Sequence, residues 1–326
     1  MAVAAEMPVA AVELLEALEP AALAAVRAAA LACRAHVGRG DAAAADAAAT
    51  DAMRASLATA PGVGTVVIGE GEKDDAPMLF NGERVGTALG PAFDVAVDPL
   101  ECTSLCAEGL AGALTTIAFA PAGTLWSPGP AHYMDKLVVQ SEARDAIDLR
   151  DEPEVNLLRI AHALGRRVGD LRVLVLDKPR HQELIERLRA TGARVATPSG
   201  GDVAGALLAA LPGSGVDVLM GVGGTPEGVL AACAVRALGG AMQGRLAPQR
   251  SEEAQRIEAA GLDVTQVLAA EDLAAEPALF AATGVTGGEL LRAPWTDGAM
   301  TFTESILIRP GSVRRIVEST PTTKES

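Results

Sequence analysis

Apolar and polar positions follow two different periods along this chain, and the change of period divides it into regions. Residues from about 10 to 60 place alanine and leucine at helical spacing. Within them Pro20 permits a new helix to begin just after it, and Asp41 is a suitable N-cap for a helix over residues 42–57. From residue 63 to 139, short apolar runs between glycines and prolines predict strands instead.

Beyond a charged stretch at 142–153, helical and strand patterns alternate. The predicted helices cover residues 156–164, 182–190, 203–211 and 229–238, and the predicted strands cover 173–176, 194–197 and 216–222. Such alternation is typical of a parallel α/β arrangement. Residues 301–316 return to strand-like alternation. We therefore predict an α/β protein of two lobes, residues 1–150 and 151–326, with a mostly parallel sheet in the second.

Composition and charge narrow the function classes. The 326 residues are 49% hydrophobic but only 2% aromatic, so alanine, valine and leucine must build the core. A net charge of −15 argues against nucleic-acid binding, which needs a basic face. No stretch is typical of a signal peptide, a membrane span or a zinc-binding cysteine pair, so we expect a cytoplasmic protein.

Two acidic clusters carry the candidate chemistry. Residues 69–75 and 98–103 each follow a short apolar run, so each is expected where a buried strand ends. Carboxylates crowded together repel one another unless a cation or a proton holds them, and such oxygen ligands suit Mg²⁺ or Mn²⁺. The first cluster contains Glu70, Glu72 and Asp74, and the second contains Asp98, Glu101 and Thr103. Either cluster alone is more often a solvated loop.

In a site of this kind Asp98 and Glu101 converge on one ion across the Pro99 turn, while Asp74 and the Thr103 hydroxyl orient a water. Basic residues at the end of a later strand, Lys178 and Arg180, are natural phosphate anchors, although a solvated helix start explains them equally well. The glycine-rich segment 221–228 can receive an anion, or a cation through Glu227, or can simply form a tight turn. The remaining histidines at 36, 132 and 162 have no ligand spacing.

Taken together, these segments resemble the class II, GlpX-like fructose-1,6-bisphosphatases, a branch of the lithium-sensitive, metal-dependent sugar and inositol phosphatases. The resemblance extends over nearly the whole chain and is strongest at Val67-Ile68-Gly69-Glu70-Gly71-Glu72 and Asp94-Val95-Ala96-Val97-Asp98-Pro99-Leu100-Glu101. Further matches lie at 133–137, 178–181, 217–219, 226–228, 242–246 and 282–286. It implies a layered α/β sandwich with a mixed sheet in the first lobe and the active site between the lobes.

The resemblance also implies residue roles. The implied metal ligands for Mg²⁺ or Mn²⁺ are Asp46, Glu70, Asp98, Glu101 and Glu227. The implied water-positioning residues are Glu72, Asp74 and Thr103, and the implied sugar-phosphate contacts are Tyr133, Lys178, Arg180 and Asp202. The family reaction is hydrolysis of the 1-phosphate of fructose 1,6-bisphosphate, in gluconeogenesis, and some members cleave sedoheptulose 1,7-bisphosphate. A homodimer or homotetramer acting on a small sugar phosphate, without nucleic acid or membrane, is expected.

Several positions depart from the family pattern. Ala42 and Ala43 replace a lysine and an asparagine, Cys102 replaces a glycine, Gly112 replaces an asparagine, and Gly200 replaces the first aspartate of the sugar-binding segment. Cys102 is compatible with a tolerated small residue, a reshaped pocket, a redox-sensitive site or a disabled one. Two hypotheses follow: a phosphatase for a related sugar or cyclitol phosphate, or a non-catalytic homologue that binds sugar phosphate without hydrolysis.

Overall fold

The computed structural model of the chain describes residues 8–70 and 78–322. In these ranges the helices are α1 (Val9–Cys33), α2 (Ala42–Leu57), α3 (Thr103–Glu108), α4 (Pro153–Ala163), α5 (Gln182–Ala190), α6 (Asp202–Ala210), α7 (Thr225–Ala237), α8 (Ser251–Ala259) and α9 (Ala270–Leu273). The strands are β1 (Gly62–Ile68), β2 (Arg84–Leu89), β3 (Ala92–Glu101), β4 (Leu114–Pro121), β5 (Tyr133–Val139), β6 (Arg172–Leu174), β7 (Arg194–Ala196), β8 (Val218–Gly224), β9 (Ala241–Leu246), β10 (Leu268–Ala269), β11 (Leu279–Gly284), β12 (Trp295–Asp297), β13 (Met300–Arg309) and β14 (Ser312–Pro321).

Two sheets organise the described part of the chain. The eight-stranded sheet has the order β12-β13-β11-β4-β3-β1-β2, with β14 also paired to β13. It is mixed, as predicted, because β1 and β3 are parallel whereas its other pairs are antiparallel. The six-stranded sheet has the order β10-β9-β5-β8-β6-β7.

The second sheet differs in part from the prediction of mostly parallel strands. β6 is parallel to both β7 and β8, as the strand–helix alternation indicated. The other neighbouring pairs, which involve β5, β9 and β10, are antiparallel. The reason is that β5 enters this sheet from the preceding region of the chain, so no helical crossover fixes its direction.

Helices and sheets stack as layers, which confirms the predicted layered α/β sandwich. α1 and α2 cover one face of the eight-stranded sheet, and their cluster includes Leu18, Val26 and Phe119. α6 and α7 fill the space between the sheets, where α7 is apolar on all sides, as expected for a helix buried on both faces. α4 and α5 cover the outer face of the six-stranded sheet.

Sheet membership crosses residue 150 in both directions. β5 lies before that residue but pairs with β8 and β9, whereas β11 to β14 lie after it and complete the eight-stranded sheet. Division of the chain into folding units 1–150 and 151–326 stays a prediction.

One predicted helix boundary is wrong. Pro20 was expected to separate two helices, but α1 runs through it without interruption. Proline removes the hydrogen bond to the carbonyl four residues earlier, and its ring crowds that carbonyl. The buried face, with Leu14, Leu18, Ala22 and Val26 in sequence, holds both halves on the sheet and compensates for that loss.

Asp41 is confirmed as the N-cap of α2, since its Oδ1 accepts the backbone N–H of Ala44 at 2.9 Å. Among residues 8–70 and 78–322, no helix has both the length and the apolar character that a bilayer crossing requires.

Candidate active site

A carboxylate pocket lies where β3 ends and α7 begins. The β3–β4 register is broken between Asp98 and Glu101, and the backbone N–H of Leu100 donates to Asp98 Oδ1 at 3.1 Å. This turn brings both carboxylates to the same side. Glu227 reaches them from the first turn of α7, so that ligand atoms of Asp98, Glu101 and Glu227 lie within 4.8 Å of one another.

Asp46 and Glu70 line the same pocket, a cavity of about 380 Å³. Asp46 lies on α2 and Glu70 follows β1, where its backbone N–H donates to Leu79 O at 3.0 Å. All five carboxylates that the family resemblance implied as metal ligands are therefore brought together. The Thr103 hydroxyl also faces this pocket, 3.0 Å from Leu100 O and 3.5 Å from Asp46 Oδ1.

Burial raises the pKa of each of these carboxyl groups, and repulsion by neighbouring carboxylates adds to the shift at all of them except Asp46. Burial, followed by the charges of Asp46 and Glu227, raises the pKa of Glu70 to about 7. Burial and then the charge of Glu101 raise the pKa of Glu227 to about 7 and that of Asp98 well above its usual range. The pKa values of Glu101 and Asp46 are raised chiefly by burial.

This electrostatic pattern fits a divalent cation. Hard carboxylate oxygens from β1, α2, β3 and α7 converge at one place, and their repulsion is what bound positive charge would relieve. The cluster could therefore hold metal through Asp98, Glu101 and Glu227, with Asp46 and Glu70 beside them.

A second, wider cavity of about 730 Å³ shares a wall with the carboxylate pocket. The shared residues are Glu101, Cys102, Pro226 and Glu227. Three of the four predicted sugar-phosphate residues, Tyr133, Arg180 and Asp202, line this cavity. Lys178 is half-buried and is not among the described residues that line either cavity.

Tyr133 and Arg180 support each other. The Arg180 guanidinium stacks on the Tyr133 ring, 5.2 Å from the ring centroid, and it donates to Val222 O at 3.1 and 2.9 Å. This fixes a cation on one side of the cavity beside an aromatic ring. Asp202, the first residue of α6, lines the same cavity.

A buried lysine that the sequence reasoning did not single out holds Asp202. Lys136 is only 1% exposed, and its ammonium donates to the Asp202 carboxylate and to Gly224 O at 2.7 Å. Its positive charge also opposes the upward pKa shifts of Glu101 and Glu227. The sequence did contain a signal for Lys136: it lies in a predicted strand among apolar residues. A lysine buried there needs a charged partner, because an unpaired buried charge is costly.

Glu253 is the second residue that sequence reasoning missed. It is 3% exposed, and it accepts the backbone N–H groups of His132 and Tyr133 at 2.8 and 3.1 Å and that of Gln249 at 3.0 Å. It thereby fastens α8 to the start of β5; the exposed cavity residues Arg250 and Arg256 lie at the N-cap of this helix and on it. No local sequence signal identifies the contacts with His132 and Tyr133, because they join segments about 120 residues apart.

The predicted water-positioning residues Glu72 and Asp74 lie outside the described residues. Ala42 and Ala43 begin α2, directly after the Asp41 cap. Neither methyl side chain can supply the charge of the lysine or the polar amide of the asparagine that the family resemblance placed there.

The layered α/β fold, with a carboxylate pocket beside a cavity that carries both arginines and carboxylates, is typical of the class of metal-dependent phosphatases. The family model described as "Bacterial fructose-1,6-bisphosphatase, glpX-encoded" matches residues 16–320. The chain belongs to this family, and it is a phosphatase of the hydrolase class.

Curated relatives agree with that assignment. The chain is 45% identical to fructose-1,6-bisphosphatase class 2 of Haemophilus influenzae over 305 residues, which cover 89% of this chain and 91% of the relative. It is 41% identical to fructose-1,6-bisphosphatase 1 class 2 of Escherichia coli K12 over 304 residues, which cover 88% of this chain and 90% of the relative.

Proposed function

We propose that this chain hydrolyses the 1-phosphate ester of fructose 1,6-bisphosphate, with sedoheptulose 1,7-bisphosphate or a related sugar or cyclitol phosphate as the alternative substrate. The observation that carries the proposal is the wall shared by the two cavities. A bisphosphate that reaches across this wall has one phosphate at the carboxylate pocket and the sugar beside Tyr133, Arg180 and Asp202.

The carboxylate pocket is the reacting end in this proposal. Asp46, Glu70, Asp98, Glu101 and Glu227 would hold Mg²⁺ or Mn²⁺, which when bound supplies positive charge for the phosphate oxygens and lowers the pKa of water. Thr103 lies beside Asp46 with its hydroxyl already bonded to Leu100 O, so it can hold a water at a fixed place. Glu72 and Asp74 keep their predicted roles in orienting that water.

The second cavity is the binding end. Arg180, held over Tyr133 and against Val222 O, offers remaining N–H groups to the distal phosphate. Asp202, oriented by the ammonium of Lys136, accepts from sugar hydroxyls. Lys178 is retained as a proposed phosphate contact on the family resemblance.

A phosphate-release assay tests this proposal. We expect the wild-type chain to release phosphate from fructose 1,6-bisphosphate with Mg²⁺ or Mn²⁺ and to stop when the metal is chelated. Glu227→Gln removes one of the converging carboxylates and is expected to lower kcat by at least about a hundredfold. Glu258→Gln, an exposed change on α8, is the matched control and should leave kcat unchanged.

Absence of release from every sugar and cyclitol phosphate with either metal would contradict the proposal. Calorimetric binding of the bisphosphate without release would then favour the non-catalytic homologue. A cytoplasmic location and a homodimeric or homotetrameric state are further proposals, supported by the family resemblance.

A further inference from the structure

Cys102 and Gly200 are two positions that depart from the family pattern. They lie next to each other in the wall of the second cavity. Cys102 follows β3 and lines both cavities, whereas Gly200 lies two residues before α6. The Cys102 sulfur is also 3.7 Å from Glu101 Oε1. The two residues are far apart in sequence but adjacent in the site.

A side chain at Gly200 would crowd the sulfur of Cys102. A Cβ atom built on Gly200 would lie 2.9 Å from the Cys102 Sγ atom, closer than real Cβ contacts, but 3.7 Å from the Cys102 Cβ atom, which is ordinary contact. The φ angle of Gly200 is not in the left-handed region, so its backbone conformation accepts other residues. Leu105 Cδ1, at 3.4 Å, would be in ordinary contact, so the sulfur is the atom that a side chain at 200 would have to displace.

The backbone at Cys102 favours glycine instead. Its φ and ψ angles are 65° and 51°, in the left-handed region, which costs a non-glycine residue about 1–2 kcal/mol. Local conformation thus favours glycine at 102 and permits a side chain at 200, whereas this chain carries a side chain at 102 and glycine at 200. The thiol occupies volume that a side chain at 200 would otherwise take.

We propose that Cys102 and Gly200 are a coupled, specificity-determining pair. The sulfur disfavours a hydrogen-bonding side chain at position 200, so the site presents a thiol and backbone there, next to Glu101 and Asp202. A sugar hydroxyl facing positions 102 and 200 then meets no carboxylate from position 200, and the site discriminates weakly among ketose bisphosphates of different length or hydroxyl pattern. The substrate part of this inference rests on the proposed function, whereas the coupling does not.

A thermal double-mutant cycle tests the coupling without any assay of activity. Gly200→Ala in the wild-type background is expected to lower Tm by about 2–4 °C, because the new methyl group meets the sulfur. In the Cys102→Ala background the same change should lower Tm by less than about 1 °C. Gly169→Ala is the matched control, since a Cβ there meets only Gly192 O, at 3.5 Å.

An equal loss of Tm in both backgrounds would overturn the coupling. If Gly200→Ala alone fails to fold, comparing Cys102→Ala with Cys102→Ala/Gly200→Ala decides the question. A well-folded double variant supports the proposal, and an unfolded one contradicts it.

Substrate choice is tested with Cys102→Gly/Gly200→Asp. The ratio of kcat/KM for fructose 1,6-bisphosphate to that for sedoheptulose 1,7-bisphosphate is expected to be within about tenfold of unity in the wild type. In the double variant it should shift by about tenfold or more, the size of one charged hydrogen bond that only one of the two substrates makes with the new carboxylate. An unchanged ratio would overturn the substrate part of the inference.

If neither protein hydrolyses either substrate, the proposed function and the substrate part fail together, while the thermal cycle still decides the coupling.

Discussion

At the scale of single residues, Glu253 connects the basic side of the second cavity to the sheet. One carboxylate oxygen accepts from the His132 and Tyr133 backbones and the other from Gln249. In Glu253→Gln one oxygen becomes an amide N–H₂ that faces a backbone N–H. We expect KM for the bisphosphate to rise about tenfold, with a smaller change in kcat, because one charged hydrogen bond to the Tyr133 segment or to α8 is lost.

Steady-state kinetics and Tm measure this effect, and Glu258→Gln on the same helix is the control. Unchanged KM and Tm in Glu253→Gln would show that the three hydrogen bonds do not position Tyr133. A lowered Tm with unchanged KM would assign Glu253 a structural role only.

The raised carboxyl pKa values give the second residue-scale prediction. Glu70 and Glu227, with pKa values of about 7 in the metal-free fold, bind more protons there than in the unfolded chain. Their protonated forms stabilise the fold at pH values below the ordinary carboxyl range, and this stability is lost as pH rises towards 7. We expect Tm of the chelator-treated protein to fall between about pH 5 and 7.

Bound metal should reverse that trend, because deprotonated carboxylates bind cations and the ligand-bound fold gains stability. Thermal melts across this pH range, with a chelator and with Mn²⁺, make the comparison. Parallel curves under both conditions would contradict a metal site made of these carboxylates.

Residue types and spacing predicted part of the site but not all of it. Asp98 and Glu101 are separated by one turn, so their convergence follows from local geometry. Lys136 and Glu253 act on partners 66 and about 120 residues away, and only the folded sheet brings those partners near. The proximity of Cys102 and Gly200 could not be predicted from the sequence either, although each residue was recognised separately as a departure from the family pattern.

At the scale of secondary-structure elements, α1 shows how tertiary packing overrides a local signal. The pattern around Pro20 predicted a break, yet one helix of 25 residues crosses it. The capping signal at Asp41 succeeded because its hydrogen bond is local, within one turn. Whether a proline interrupts a helix depends on how much apolar surface the rest of that helix buries against the sheet. The residues next to the proline do not specify this.

Pro20→Ala is expected to stabilise the protein by about 1–3 kcal/mol, since it restores a donor and removes a ring from the helix interior. Urea midpoints measure the gain. Pro8→Ala, at the N-cap of the same helix, is the control and should change stability by less than about 0.5 kcal/mol. A destabilised Pro20→Ala variant would mean that α1 depends on the bend or packing that the ring provides.

At the scale of the whole molecule, α7 connects the carboxylate pocket to the hydrophobic core. It packs against strands of both sheets, and its first turn carries Glu227 into the carboxylate pocket. The alternation of helical and strand patterns in the second half of the chain predicted this helix, because helical spacing of apolar residues is a local feature of the sequence. The strand order that places it between two sheets depends on pairings such as β5 with β8, which join residues too distant for a sequence pattern to reveal.

Ala232→Leu tests this dependence. Ala232 is fully buried in α7 between the sheets, so the added carbons must push the layers apart or displace the helix. We expect a loss of about 1–3 kcal/mol in stability. The same displacement should move Glu227 and lower kcat at least tenfold, since an error of about 1 Å in the position of a catalytic group is costly.

Ala163→Leu, on the exposed face at the end of α4, is the matched control. Phosphate release and urea unfolding measure both effects, and full activity in a destabilised Ala232→Leu protein would show that the pocket tolerates movement of the central layer.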